Sequence, residues 1–289
     1  MTSTYINVAD HPIAEADYID RCRTTLDDRG ALVLTGFFTE TAIARIVAQS
    51  APREGDAFYA GSTHNVYLTD PDPERGVDHP FNRQVTSSKG LIADDQIPPD
   101  SPLRAIYDDP TFRIFIAEVV GVAAIHPYAD PLSSINVHFA AAGMELGWHF
   151  DNSSFAVTML LQAPDGGGSF DYVPDVRGNR PAHPAGGSVA EDVGDTAGEH
   201  LDPAVGRLDD PASSAEFQRV ADVLDGRTAV STLVFAPGDL VLFRGRNALH
   251  RVTPTEGPTT RLLAVLAFND EPGFSLSASA MATFYGRTA

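Results

Sequence analysis

The chain has 289 residues, 43% of them hydrophobic, so it is long enough to bury a sizeable core and is not a wholly disordered polypeptide. It carries 39 acidic against 20 basic residues, a formal net charge of −19, which argues against nucleic acid or an anionic membrane surface as a main partner. The single cysteine excludes an internal disulfide and a cysteine-based zinc site. Because we see no secretory leader and no long apolar run, we expect a cytoplasmic protein.

The first 130 residues predict helices and loops around one short strand. These predictions rest on apolar residues at helical intervals, on capping residues, and on breaks at glycine or proline. In chain order, we predict a helix over 13–28, a strand over 31–34, a helix with Thr39 as its N-cap, mostly loop over 51–100, and a helix over 102–120 that breaks near Pro110.

Short strands dominate after residue 131. We predict strands over 134–139, 155–161, 169–173, 230–235, 240–243 and 262–268. Residues 177–213 are rich in Gly, Pro, Ala and Asp and predict an acidic surface insertion. Helices followed by antiparallel-type strands predict an α+β protein on a β-sandwich or small barrel. We expect a single domain over 1–289, with a mainly helical and loop region over 1–130 and a strand core over 131–289.

A histidine and a carboxylate lie two residues apart between two predicted strands. His149 and Asp151 point to the same side if the backbone is extended, which suits two ligands of one metal ion. His250 follows the apolar strand at 240–243 and offers a third ligand. Two His and one Asp form the facial triad typical of non-haem Fe(II) oxygenases, and the same three ligands also suit zinc in a hydrolase.

An arginine follows His250 after a Pro- and Gly-containing loop. If the flanking strands form a hairpin, His250 and Arg261 lie at equal distances from its centre and become cross-strand partners. A guanidinium there could bind a carboxylate through two hydrogen bonds. Arg261 favours iron over zinc, because it has no role in the zinc hydrolase.

This pattern resembles the Fe(II)/2-oxoglutarate-dependent oxygenases. Residues 147–152 (GWHFDN), 243–254 (FRGRNALHRVTP) and 284–287 (FYGR) are similar to the branch of free amino acid hydroxylases and related radical halogenases. The resemblance implies a double-stranded β-helix (jelly-roll) core with N-terminal and flanking helices. It also implies that His149, Asp151 and His250 bind iron, and that Arg261 binds the distal carboxylate of 2-oxoglutarate.

The resemblance implies Fe(II), 2-oxoglutarate and O2 as cofactors, with release of succinate and CO2. Such halogenases carry Gly or Ala where this chain has Asp151, so we expect hydroxylation of an unactivated C–H bond. Desaturation and cyclisation use the same ligands and stay open. The expected substrate is a free amino acid or amino-acid-derived metabolite, with a homodimer as an option. A peptide or carrier-bound substrate and a zinc hydrolase are the alternatives.

Five further residues are candidates for ligand contacts. Trp148 and Asn152 flank the His-x-Asp motif and could line the substrate pocket, and Arg83 could bind a substrate carboxylate. Asn136, on the preceding strand, could donate a hydrogen bond to 2-oxoglutarate. Arg246 lies four residues before His250 and could face the cofactor from the same side.

Overall fold

The computed structural model describes residues 4–177 and 211–289. Six α-helices lie in these residues: α1 Ala16–Arg29, α2 Glu40–Ser50, α3 Pro102–Tyr107, α4 Pro110–Val120, α5 Pro211–Leu224 and α6 Ala278–Tyr285. The Thr39 side chain accepts a hydrogen bond from the amide of Ala42, as predicted for the N-cap of α2. Asp109 caps α4 directly before Pro110, so the predicted break near this proline is confirmed.

Thirteen strands lie in the same described residues. They are β1 Ala31–Leu34, β2 Phe58–His64, β3 Val85–Ile92, β4 Ile135–Ala140, β5 Leu146–His149, β6 Ala156–Gln162, β7 Gly166–Gly167, β8 Phe170–Val173, β9 Ser231–Leu233, β10 Leu240–Phe243, β11 Leu249–Val252, β12 Thr255–Glu256 and β13 Arg261–Leu266. Eleven of them form one sheet in the order β1-β10-β6-β13-β4-β3-β5-β11-β8-β9, with β2 paired to β3. β7 and β12 form a separate two-stranded ribbon.

This sheet is curled and consists of two halves. The first half, β1-β10-β6-β13-β4-β3, meets the second half, β5-β11-β8-β9, at one residue pair, Ser87 of β3 and Leu146 of β5. From β4 the chain alternates: β4 and β6 lie in the first half, β5 and β8 in the second, and β10, β11 and β13 repeat the alternation. A jelly roll has this connectivity, so the predicted α+β class with a double-stranded β-helix core is confirmed.

The pleat of the first half separates a helix-packed face from an interior face. On β4, Val137 and Phe139 are buried in the apolar core that also contains Ile19 of α1 and Phe115 of α4. His138, between them, lines an interior pocket instead, because successive side chains of a strand point to opposite faces. Strands β6 and β13 alternate in the same way, so the pocket lies between the two halves of the sheet.

The prediction that residues 51–100 are mostly loop was wrong. β2 and β3 pair along their lengths, from Phe58 opposite Leu91 to His64 opposite Val85. Polar residues occupy both faces of these strands, so neither shows the alternation that identifies a half-buried strand.

Residues 178–210, which include most of the predicted insertion 177–213, lie outside the described residues. No described helix is both long and apolar enough to cross a membrane.

Candidate metal centre and its pocket

Three potential metal ligands meet in the second half of the sheet. His149 ends β5 and His250 lies on β11, where the two residues are cross-strand partners. Asp151 Oδ1 lies 3.7 Å from Nε2 of His149 and 3.2 Å from Nε2 of His250. All three side chains are buried, and one ligand atom of each lies within 4.8 Å of the others. This geometry allows the three residues to share one metal ion.

Backbone carbonyls fix the orientation of both imidazole rings. Nδ1 of His149 lies 2.7 Å from the carbonyl oxygen of Gly147, and Nδ1 of His250 lies 3.0 Å from that of Ala248. A carbonyl oxygen only accepts, so Nδ1 carries the proton and donates it in each ring. Nε2 is therefore the ring nitrogen that faces the shared position, as in metal-ligating histidines generally.

Strand β3 fixes the position of β5 before it reaches the metal site. The amide of Gly147 donates to the hydroxyl of Ser87 at 2.9 Å, and that hydroxyl lies 2.7 Å from Nε2 of His64. A Cβ atom on Gly147 would lie 2.7 Å from the carbonyl oxygen of Thr86. Glycine is therefore required here by the close approach of the neighbouring strand, and the carbonyl that holds His149 is fixed by the same contact.

The side chain of Arg261 lines the same pocket from the first half of the sheet. Arg261 begins β13 and is 5% exposed. Burial lowers the pKa of its guanidinium to about 10, so the group is still cationic at neutral pH. Within the parts of the chain that the structure describes, no carboxylate or other acceptor pairs with this guanidinium. A buried cation without a partner is costly, and an anionic ligand at this position would compensate it.

The predicted hairpin register is wrong. His250 pairs with His149 and Tyr172 in the second half of the sheet, whereas Arg261 pairs with Ala140 of β4 in the first half. The chain between them crosses from one half to the other, as the jelly roll requires. His250 and Arg261 line the same pocket from different halves of the sheet rather than as neighbours in one hairpin.

The walls of the pocket are mostly apolar near the metal ligands. The ring of Phe170 stacks on that of His250 with the ring centroids 5.4 Å apart. Phe243 contacts the same His250 ring edge-on, with the centroids 4.9 Å apart. Two charged side chains, Lys89 and Glu145, also line the pocket. So does His138, which the sequence analysis missed although it shares the parity of Asn136 along β4.

The structure does not bring the two residues that flank the motif into the pocket lining. Trp148 packs in a separate apolar cluster with Phe150, and the guanidinium of Arg251 lies 4.8 Å above its ring. Trp148 occupies the opposite face of β5 from His149. The carbonyl oxygen of Asn152 accepts a hydrogen bond from Arg246 Nη2. The substrate contacts expected of Trp148 and Asn152 stay predictions.

Asn136, Arg246 and Arg83 also lie outside the residues that line the pocket. The Asn136 amide donates to the carbonyl oxygen of Ser133 at 3.0 Å, and its Oδ1 atom has no hydrogen-bond partner among the described residues. The Arg83 guanidinium lies 2.6 Å from the Asp225 carboxylate, just after α5. The expected cofactor contacts of Asn136 and Arg246, and the substrate contact of Arg83, stay predictions.

A family model described as HalD, Halogenase D, matches residues 84–202. This range contains His149 and Asp151 but ends before His250 and Arg261. No curated protein matches the sequence. Among solved structures, the epimerase SnoN in complex with Fe3+, alpha ketoglutarate and nogalamycin RO is similar over 89% of this chain and 85% of that chain, with a TM-score of 0.54 at 11% identity.

Two further solved structures have similar folds. The non-heme alpha ketoglutarate dependent carbocyclase SnoK from nogalamycin biosynthesis aligns over 89% of this chain and 92% of that chain, with a TM-score of 0.54 at 11% identity. AviO1 from Streptomyces viridochromogenes aligns over 88% and 97%, with a TM-score of 0.50 at 13% identity. The fold is that of the Fe(II)/2-oxoglutarate oxygenases. The predicted resemblance to these oxygenases is confirmed.

The residues of the site fit the cofactors of an Fe(II)/2-oxoglutarate oxygenase. Two imidazoles and one carboxylate are the donor set of the facial triad, which would leave coordination positions open for other ligands. Arg261, which has no partner among the described residues, offers a buried cation to a carboxylate in the same pocket. An Fe(II)/2-oxoglutarate-dependent dioxygenase is therefore the enzyme class that both the fold and the donor set support, with Fe(II), 2-oxoglutarate and O2 as its cofactors.

Proposed function

We propose that this protein hydroxylates an unactivated C–H bond of a free amino acid or an amino-acid-derived metabolite, using Fe(II), 2-oxoglutarate and O2 and releasing succinate and CO2. One observation carries the proposal. A buried His-Asp-His set and a buried arginine without a partner among the described residues line one pocket. A metal ion alone would explain the first feature, but the second calls for an anionic ligand as well.

Different side chains of the pocket would bind the metal and the cofactor. His149, Asp151 and His250 would hold the metal, and Arg261 would bind the distal carboxylate of 2-oxoglutarate by two parallel hydrogen bonds. When bound, Fe(II) and 2-oxoglutarate use O2 to convert a C–H bond into a C–OH bond. Phe170 and the other apolar walls would keep bulk water away from the metal position, which protects a reactive site from side reactions.

The Asp151 carboxylate favours hydroxylation over halogenation, although a halogenase model matches part of the chain. Its Oδ1 atom is directed to the position shared with the two histidines. Halide would need this coordination position to be vacant. The carboxylate occupies it, so a hydroxyl group is the expected product.

Two charges of opposite sign support a zwitterionic substrate. Lys89 and Glu145 line the same pocket as the metal ligands. A cationic and an anionic side chain suit the carboxylate and the ammonium group of an amino acid, respectively. A peptide has neither group free at an internal residue, so this pair favours a free amino acid over a peptide.

Anaerobic titration with Fe(II) and 2-oxoglutarate tests the cofactor assignment. Chelation of a 2-oxo acid by Fe(II) in a facial-triad site should give a weak absorption band near ~500 nm in the wild type, and Asp151→Ala should lose it. Free amino acids are then screened for succinate formation and for the addition of one oxygen atom by mass spectrometry. Absence of the band, together with tight zinc binding and hydrolase activity, would replace the proposal by the zinc hydrolase. Turnover of peptides or carrier-bound substrates alone would correct the substrate class.

A further inference from the structure

Gly245, in the connection between β10 and β11, lies directly against the carboxylate of Asp151. A Cβ atom built on Gly245 would lie 1.7 Å from Asp151 Oδ2, 2.4 Å from its Cγ and 2.9 Å from its Cβ. These distances are far inside van der Waals contact. Gly245 is not among the residues with positive φ, so alanine could adopt its backbone conformation. Glycine is thus required at this position for space and not for backbone freedom.

Backbone and side-chain contacts hold the two segments together at this point. The amide of Asp151 donates to the carbonyl oxygen of Gly245 at 3.2 Å. Arg246 Nη2 donates to the carbonyl oxygen of Asn152. Arg177 Nη1 donates to the carbonyl oxygen of Arg246 at 3.1 Å. The segments on either side of Gly245 and Asp151 therefore cannot separate to admit a side chain without breaking hydrogen bonds.

The contact also distinguishes the two oxygens of the carboxylate. Oδ2 faces Gly245, whereas Oδ1 lies within 3.7 Å of Nε2 of both histidines. Rotation of the carboxylate alone would not relieve a methyl group at position 245, because that methyl would also overlap Cγ and Cβ of Asp151. The whole side chain would have to leave the position from which Oδ1 reaches the metal.

We propose that Gly245 is a positioning residue that orients the Asp151 carboxylate so that Oδ1 alone would bind the metal, which would leave the remaining coordination positions for other ligands. This inference rests on the proposed function, since it takes Asp151 to be a metal ligand. It also couples two positions. A carboxylate at 151 requires glycine at 245, and removal of the whole Asp151 side chain, Cβ included, leaves room for a methyl group there.

Four proteins test this coupling: the wild type, Gly245→Ala, Asp151→Gly and the double variant. Co(II) is titrated into each apo-protein and followed by its visible absorption, and the thermal midpoint of each apo-protein is measured. Gly245→Ala should bind Co(II) about tenfold or more weakly than the wild type and unfold at a lower temperature. The double variant should bind no more weakly than Asp151→Gly and should have the same thermal midpoint as Asp151→Gly, because the methyl group then occupies vacated space.

A matched control is Gly55→Ala, where an added Cβ has nothing within 4 Å and φ is not positive. It should leave Co(II) affinity unchanged. Unchanged Co(II) affinity in Gly245→Ala would overturn the inference, as would losses that simply add in the double variant, since both outcomes leave Gly245 with a packing role only. If Gly245→Ala does not fold, a folded double variant still supports the coupling and an unfolded one overturns it. Failure of the wild type itself to bind Co(II) would overturn the metal site and this inference together.

Discussion

Arg177 and Arg261 are almost equally buried, with 6% and 5% of their surfaces exposed, but their surroundings differ. The guanidinium of Arg177 lies 4.1 Å above the ring of Phe150, and its Nε atom lies 3.7 Å from Glu216 Oε1. Arg261 has no such partner among the described residues and lines the metal pocket. The fold therefore compensates one buried cation internally and leaves the other exposed to a pocket, where a ligand can compensate it. Burial alone does not identify a binding residue, but burial without a partner does.

The largest expected effect on cofactor binding comes from Arg261→Met, which keeps an apolar stem but removes the charge. Apparent affinity for 2-oxoglutarate should fall at least ~100-fold, because a buried carboxylate would lose its charged partner. The cofactor-free protein should be as stable as the wild type or more stable, since a buried unpaired charge is removed. Anaerobic 2-oxoglutarate titration of the Fe(II) form and urea unfolding of the apo-form give the two quantities. Unchanged 2-oxoglutarate affinity would show that Arg261 is not the carboxylate ligand.

Arg261 also shows where sequence reasoning reached its limit. His149 and Asp151 could be placed together because strand parity is a local property, and Thr39 and Pro110 identified helix ends by local chemistry. The strand that pairs with Arg261 could not be predicted from local sequence. A local pattern favours a hairpin between consecutive strands, whereas the jelly roll sends these strands to opposite halves of the sheet.

Gly245 illustrates a second limit of the sequence. A glycine in a connection between strands usually indicates a turn that needs positive φ, and Gly245 has no positive φ. Its importance depends on Asp151, which is distant along the chain and lies against it only in the folded sheet. Trp148 is next to His149 in sequence, but this adjacency puts it on the other face of β5.

Arg177→Met should have the opposite effects to Arg261→Met: it should lower stability and leave 2-oxoglutarate affinity nearly unchanged. It leaves Glu216 buried without its ion-pair partner and removes the cation from the Phe150 ring, so we expect a loss of about 3–5 kcal/mol in unfolding free energy. Affinity for 2-oxoglutarate should change little in the protein that remains folded. Urea unfolding measures the loss, and Arg177→Met combined with Glu216→Gln should lose less than Arg177→Met alone. A stable Arg177→Met protein with weak 2-oxoglutarate binding would contradict the distinction between the two arginines.

The contribution of Arg261 to stability should depend on pH, and comparison of Arg261→Met with the wild type should isolate it. Burial lowers the pKa of Arg261 to about 10, whereas the unfolded chain keeps the higher, ordinary value of an arginine. Between these values the unfolded state binds more protons, so the unfolding free energy contributed by Arg261 rises with pH. Below about pH 10 the group imposes a constant penalty on the order of 3 kcal/mol. The stability advantage of Arg261→Met over the wild type should therefore be constant up to that pH and decrease above it. Paired unfolding curves at several pH values check this, and an advantage independent of pH would contradict it.

The smallest effect is expected from Arg83→Ala, because this arginine already has a partner at the surface. Its pair with Asp225 is about one-third exposed on both sides, and exposed pairs contribute about 0–1 kcal/mol. Unfolding free energy should therefore change by less than about 1 kcal/mol, and 2-oxoglutarate affinity should stay the same. Arg83→Lys serves as the control that keeps the charge. A KM for the amino acid substrate that rises in Arg83→Ala, is restored in Arg83→Lys and leaves 2-oxoglutarate affinity untouched would show that Arg83 exchanges Asp225 for the substrate carboxylate. In that case the arginines would fall into three classes: one compensated by the fold, one by the cofactor and one by the substrate.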